Sequence, residues 1–408
     1  MELAKPGMLV WLKTNVSTNK KGNKNMNEKT EVLGGLRNRR NFLKSSVALA
    51  GTAGLASSFL AGGSKVFAQS QGGGSSSSLN EGDIAILQFL AAGELLEADF
   101  WGQYNELGGI QDSEVPGGCG NRRYTERLQE IDPNFPQYIH DNTHDEISHA
   151  SFINAYLVSR GADPVSLEQF RTLDGSKATG SSGEKRLTNL MQLTIDSSWW
   201  TRYRSSTNNP DVNPTPFEQA VPDLHNGQFT AIPRTDDDLY PHEHLQAIAN
   251  TAAFQMPTVE QGGGSLRMAL AQRATDVEVL RLLISMGPIE SMHFQTWHEK
   301  AGQVRPLTDP TNGLTFPNLN SGVDPNTGAR GAAVREMFQT NLIMPEPCPF
   351  INTSLPVCSV VRPTNTTGAA TGAAKFLTAM GLFIGQSDAF FAYLTGLAAA
   401  ADAAEREV

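Results

Sequence analysis

The sequence predicts an all-α fold built on four long helices, and three observations carry that prediction. Four stretches repeat their apolar residues at the helical period of about 3.6. Each sets a carboxylate inside its apolar stripe, where a core helix tolerates a charge only if the group finds partners. Two of them share one spelling, Glu-x-x-His, which places an imidazole one turn beyond the carboxylate on the same face. With 23 Glu and 8 His in 408 residues, about half of one such match is expected by chance, so two copies on apolar faces carry weight that one would not. A helix bundle that holds two metal ions uses one Glu from each of two helices and a Glu-x-x-His from each of the other two. Two divalent cations need carboxylates to bridge and neutralise them.

The first helix is predicted over 81–106, with Leu87, Leu90, Ala91, Glu94, Ala98 and Trp101 on one stripe and Glu97 at its edge. Residues 110–136, rich in Pro, Gly and Asn, read as a loop with a short helix near 124–129. The second long helix runs from about 137 to a C-cap at Gly161. Its Glu146 and His149 share a face with Asn142, Ala150 and Ile153, while His140 and His144 project from the far side. Asn142 and Asp145 are candidates to orient the imidazoles, although surface exposure is the role expected of Asp145. A long insertion follows at 162–240, whose clear element is an amphipathic helix over 183–205 with Trp199 and Trp200 packed on the core.

The third long helix occupies 241–271 and carries Glu260 on a stripe with Ala249, Ala253 and Met256. Pro257 and the run Gly262-Gly263-Gly264 weaken it, by roughly 1 kcal/mol per glycine, although glycines also let a neighbouring helix approach closely. His242-Glu243-His244 reads as an exposed helix start. The fourth helix, 277–300, aligns Val279, Leu283, Met286, Glu290, His293, Phe294 and Trp297, with Pro288 expected to kink it. Residues 306–371 are irregular, with a short helix near 332–340, and 372–408 holds an added C-terminal helix. Gln386 and Asp388 interrupt that helix, which favours packing on the core or on another subunit over a membrane span.

The N-terminal 1–68 reads as a twin-arginine signal peptide: Arg39-Arg40-Asn41-Phe42-Leu43-Lys44, an apolar run over 45–63 and a cleavage candidate at Val66-Phe67-Ala68. A flexible linker at 69–79 joins it to the core at 80–305. The expected partner is therefore the twin-arginine export machinery, and the expected location periplasmic or extracellular. Beyond residue 68 the chain carries 21 basic and 39 acidic residues, a charge of −18 that argues against nucleic acid or an anionic membrane as a partner. Cys119, Cys348 and Cys358 have no zinc or redox spacing, so in an exported chain a Cys348–Cys358 disulfide with one remaining thiol is expected.

With Glu94, Glu146, His149, Glu260, Glu290 and His293 in this order, the chain resembles the ferritin-like superfamily, in particular the branch that includes plant and fungal desiccation-related proteins. The phrase FLAAGELLEADFW around Glu94 looks like that branch's first helix, and Glu260 stands 30 residues before Glu290, which suits adjacent third and fourth helices. The resemblance covers about residues 83–302. It implies a ferritin-like four-helix bundle, from which the long 162–240 insertion between helices 2 and 3 and the Gly-rich stretch after Glu260 are departures. It also implies a site for two iron ions, with manganese as the alternative, in which Glu94 and Glu260 are the single carboxylates and the Glu146–His149 and Glu290–His293 pairs complete the ligands. The expected activity is oxidation of ferrous iron or removal of peroxide. The competing expectation is a non-catalytic stress- or desiccation-related structural or binding protein on the same fold, and a homo-oligomer is open in either case.

Overall fold

The computed structural model describes residues 78–407 apart from 116, 214–215, 342–343 and 363–366. The segment expected to be a signal peptide and nearly all of the expected linker lie outside the described residues. The protein is mostly α-helical, and its helices, with two short hairpins, follow in order. They are α1 (Glu81–Gly108), α2 (Arg122–Ile131), α3 (Phe135–Ser159), β1 (Leu173–Asp174), β2 (Lys185–Arg186), α4 (Trp199–Arg202), α5 (Pro222–Asn226), α6 (His242–Ala271), α7 (Val277–Ala301), β3 (Leu307–Thr308), β4 (Thr315–Phe316), α8 (Ala332–Phe338), α9 (Ala369–Ala379) and α10 (Asp388–Ala403). Strands β1–β2 and β3–β4 each pair antiparallel.

The four long helices start and stop where local chemistry directs. Asn80 caps α1 by accepting from the Asp83 N–H at 2.7 Å. Asp276 caps α7 by accepting from Glu278 and Val279. The buried Asp83 carboxylate accepts from the Thr275 and Asp276 N–H groups, at 3.0 and 2.8 Å, and so ties the start of α1 to the α6–α7 turn. Gly161, at φ +78°, supplies the left-handed residue that ends α3. Helix α1 packs along α3 and α6 along α7, with α2 against α6. Helix α6 is one helix through Pro257 and all three glycines. Because it is buried on nearly every side, packing outweighs the low helix propensity of those residues.

Two predicted helices are corrected. Residues 183–205 are not one helix: only Trp199–Arg202 makes a helical turn. The rest is strand β2 and irregular chain whose backbone groups pair elsewhere. The Leu187 and Thr188 N–H groups donate to the buried Asp99 carboxylate, and Thr194 and Ile195 donate to the Met380 and Leu224 carbonyls. Asn189 and Asp196 also accept from N–H groups two residues on, the local bonding by which such side chains compete with helix. The tryptophans do pack on the core: Trp199 Nε1 donates to Thr258 Oγ1 at 3.0 Å, and Trp200 stacks on His298 at 4.7 Å.

The second correction concerns the single C-terminal helix expected over 372–408, which is a helical hairpin. Gly381 and Gly385, at φ +90° and +94°, turn the chain between α9 and α10. Asp402 near the end of α10 accepts from the Ala370 and Thr371 N–H groups at the start of α9, closing the hairpin. Helix α10 packs on α1 and α9 on α6. Among the described residues no helix is long and apolar enough to cross a membrane.

Three smaller expectations also change. His140 is buried rather than projecting, because the 109–121 loop brings Asp112 to 3.1 Å from its Nε2. His244 is buried between Asp309 at 2.7 Å and Asp238 at 3.3 Å, while His242 stays exposed. The two carboxylates outweigh burial and raise the His244 pKa to about 9. A His pKa raised on folding stabilises the fold in full below pH ~6.5 and progressively less as pH rises through about 9. His244→Gln is therefore expected to lower the melting temperature clearly at pH 6 and much less at pH 9.5, which calorimetry at the two pH values checks.

The third concerns the cysteines, all of which are free thiols. Cys348 and Cys358 exchange backbone hydrogen bonds at 3.0 Å in both directions, yet their side chains have separate partners. Cys348 is buried with Asn209 Nδ2 at 3.5 Å from its sulfur, and the exposed Cys358 thiol is 3.7 Å from the Ser359 carbonyl. Thiol titration of denatured, unreduced protein is expected to find three thiols per chain, and a count of one would restore the bridge.

Candidate metal centre

The four long helices bring all six sequence-predicted residues together. Glu94 comes from α1, Glu146 and His149 from α3, Glu260 from α6, and Glu290 and His293 from α7. All four carboxylates are fully buried. Two groups form, each with possible ligand atoms within 4.8 Å of one another: Glu94, Glu146, His149 and Glu290 in one, Glu146, Glu260, Glu290 and His293 in the other. Glu146 and Glu290 belong to both. The shared pair follows from the i, i+3 spacing, which points both carboxylates inward from α3 and α7 while each imidazole serves its own side.

Each imidazole turns its Nδ1 to the cluster. His149 Nδ1 lies 3.2 Å from Glu146 and 3.4 Å from both Glu94 and Glu290. His293 Nδ1 lies 3.2 Å from Glu146 and from Glu260. On the other edge of that ring, Asp145 Oδ2 is 3.1 Å from His293 Nε2, so Asp145 orients the imidazole although its side chain stays half exposed. Asn142 works on the carboxylates: its Nδ2 donates to Glu146 at 2.8 Å and to Glu260 at 3.1 Å. Trp297 Nε1 donates to Asn142 Oδ1 at 2.7 Å and fixes the amide, while Trp101 Nε1 donates to Glu260 at 2.9 Å. The two indoles stack at 5.1 Å.

Sequence reasoning missed Arg267. Its guanidinium is buried and pairs with Glu94, with Glu290 at 3.2 Å and with Glu97 at 3.5 Å. The available signal was its position seven residues after Glu260, which returns it to the same face of α6. Gly263 makes room for this contact. A Cβ there would lie 2.9 Å from both Arg267 Nη1 and Glu290 Oε2, and one at Gly264 would lie 3.2 Å from Ser291 Oγ. Gly263 and Gly264 therefore let α6 and α7 close on the site, at a cost in helix propensity that their packing offsets.

Protons and Arg267 balance the charges. Burial opposes ionisation of Glu94, yet Arg267 and His149 outweigh it and hold its pKa at about 2. Glu290 is likewise lowered, against burial, by Arg267 and His149. Burial raises Glu260 to about 8 in spite of His293, and burial with the Glu290 charge raises Glu146 and Glu97. Burial disfavours imidazolium at both histidines, but the carboxylates win. Glu146, Glu290 and Glu94 push His149 up to about 12, and Glu260 with Asp145 raises His293. Glu94 Oε2 and both Glu290 oxygens are buried without a hydrogen bond, although His149 and Arg267 lie close. Buried carboxylate oxygens left in this way, beside two inward imidazole nitrogens, fit hard divalent cations.

Comparison of the chain with protein-family models, with curated proteins and with solved structures finds no match.

Proposed function

We propose that this chain is an exported ferritin-like four-helix bundle whose two overlapping groups, sharing Glu146 and Glu290, hold two transition-metal ions, iron in the first place and manganese as the alternative. The observation that carries the reading is the shared pair: two four-residue ligand sets with two carboxylates in common are the arrangement two cations need in order to sit side by side. Glu94 with His149 would complete one position, and Glu260 with His293 the other. Bound iron would supply one-electron redox chemistry toward dioxygen or peroxide, which makes ferrous-iron oxidation or peroxide removal the reaction class.

The chain's own residues set the conditions for that chemistry. Asp145 holds His293 by Nε2 and leaves Nδ1 to face the cluster. Trp297 and Asn142 fix Glu146 and Glu260 in place. Trp101, Trp297 and Phe135 pack ring against ring beside Glu260 and Asn142. Purified protein refolded with ferrous or manganous ions and then desalted is expected to retain about two ions per chain by elemental analysis. Absence of retained metal would remove the reading.

One observation favours the second reading, a structural or binding protein without metal. Arg267 already pairs with Glu94 and Glu290, so the cluster carries part of its countercharge without an ion. Export by the twin-arginine route supports the metal-loaded reading, since that route carries folded protein. Replacing Arg39 and Arg40 together by Lys is expected to leave uncleaved precursor in the cytoplasm, while unchanged export would point to another route.

A further inference from the structure

A cavity of about 410 Å³ is lined by α1, α6 and the α9–α10 hairpin, and its lining includes Glu97 and Arg267, the ion pair that flanks the carboxylate cluster. Phe89, Leu90 and Leu96 of α1, Leu266 of α6, and Phe376 and Leu377 of α9 make its walls apolar. Glu97, Gly263 and Arg267 stand together in that lining. At Gly263 the missing Cβ would stand 2.9 Å from Glu290 Oε2, so a single glycine separates the cavity from a candidate ligand. Gly93 and Gly262 also line the space, and a Cβ added at either meets nothing within 4 Å. The volume falls in the range of small-molecule sites, which are mostly apolar with a few placed polar groups.

We infer that this cavity binds a neutral, medium-length aliphatic molecule, with its apolar chain between α1, α6 and α9 and its one polar end at Glu97 and Arg267, beside Glu290. The mixed charge around the cavity disfavours a fully charged head of either sign: an anion meets Asp196 and Asp211 on the wall and Glu290 behind Gly263, and a cation meets Arg267 and Arg202. Binding of the chain rests on the cavity alone. Only the value of presenting the polar end to the cluster rests on the proposed di-metal reading, where it would make the organic molecule a substrate.

The test is calorimetric titration of the folded protein with n-hexanol, n-octanol, n-decanol and n-dodecanol, on metal-loaded and chelator-stripped samples. One saturable site per chain is expected, with affinity rising about fourfold per added methylene until the cavity is full and then falling. Gly93→Leu and Gly262→Leu each grow a side chain into the open space and favour helix. Each is expected to weaken decanol binding at least tenfold while circular dichroism and metal content stay unchanged. Glu146→Ala is expected to do the reverse, lowering metal content and sparing decanol binding, so failure of the cavity proposal and failure of the metal reading give different results. No saturable binding to the wild-type protein, or decanol binding unchanged in both folded glycine variants, overturns the proposal.

Discussion

Glu146→Ala is expected to drop retained metal from about two ions per chain to below one, because its carboxylate belongs to both candidate positions. Glu290→Ala should behave alike for the same reason, while Glu94→Ala should spare the position that lacks Glu94 and so leave about one ion. His144→Ala, whose side chain belongs to neither group, should retain the full content. Elemental analysis after identical loading decides among these outcomes, and equal metal in wild type and Glu146→Ala would leave only the metal-free reading. Affinity should rise with pH in the wild-type protein. Without an ion His149 keeps its proton up to about pH 12 and Glu260 up to about 8, and those protons must leave before the groups can ligate. Stability of the metal-free form should respond differently. Burial and the Glu290 charge already disfavour ionised Glu146, so its removal relieves repulsion while it opens a cavity. The metal-free variant is thus expected to melt close to the wild type.

The candidate site was more legible than the fold around it, for physical reasons. Helical periodicity is strongest where one face is buried and the opposite face is not, and it placed Glu94, Glu146, His149, Glu290 and His293 inward on helices whose ends agree within a few residues. Glu260 was harder to read, since α6 is buried almost all round and its stripe is diluted by Pro257 and the glycines. What periodicity cannot see is a backbone partner far away in the chain. The 183–205 segment has the amphipathic pattern of a helix, yet the Asp99 carboxylate and the Met380 and Leu224 carbonyls draw its backbone into another path. The burial of His140 and His244 also depends on distant carboxylates, Asp112 in a loop and Asp309 beyond α7. The α9–α10 turn was open to local reading, because Gly381 and Gly385 sit in the middle of the expected helix and both adopt left-handed backbone.

Arg267→Met is expected to make the stability of the protein depend on metal. In the ion-free site the guanidinium lies against Glu94, Glu290 and Glu97, all within a buried environment. Methionine fills much of the volume and removes the charge, and breaking a buried pair in this way typically costs about 3–5 kcal/mol because an uncompensated charge is left behind. The pH dependence has a definite sign. Glu94 has its folded pKa depressed to about 2, so the stabilisation it draws from Arg267 and His149 is present above the ordinary carboxylate value of ~4.5 and is lost as pH falls through about 2. The gap between variant and wild type should accordingly be wide at pH 7 and narrow toward pH 3, where the variant's carboxylates take up protons instead. Divalent ions supply the same countercharge, and any ligand of the folded state adds stability in proportion to the logarithm of its excess over the dissociation constant. Adding ferrous or manganous ion should then raise the melting temperature of Arg267→Met more than that of the wild-type protein and close most of the gap. Differential scanning calorimetry at pH 7 with and without metal makes the comparison. A variant that is destabilised and gains nothing from metal would identify Arg267 as the permanent countercharge of a structural cluster, and the di-metal reading would fall with it.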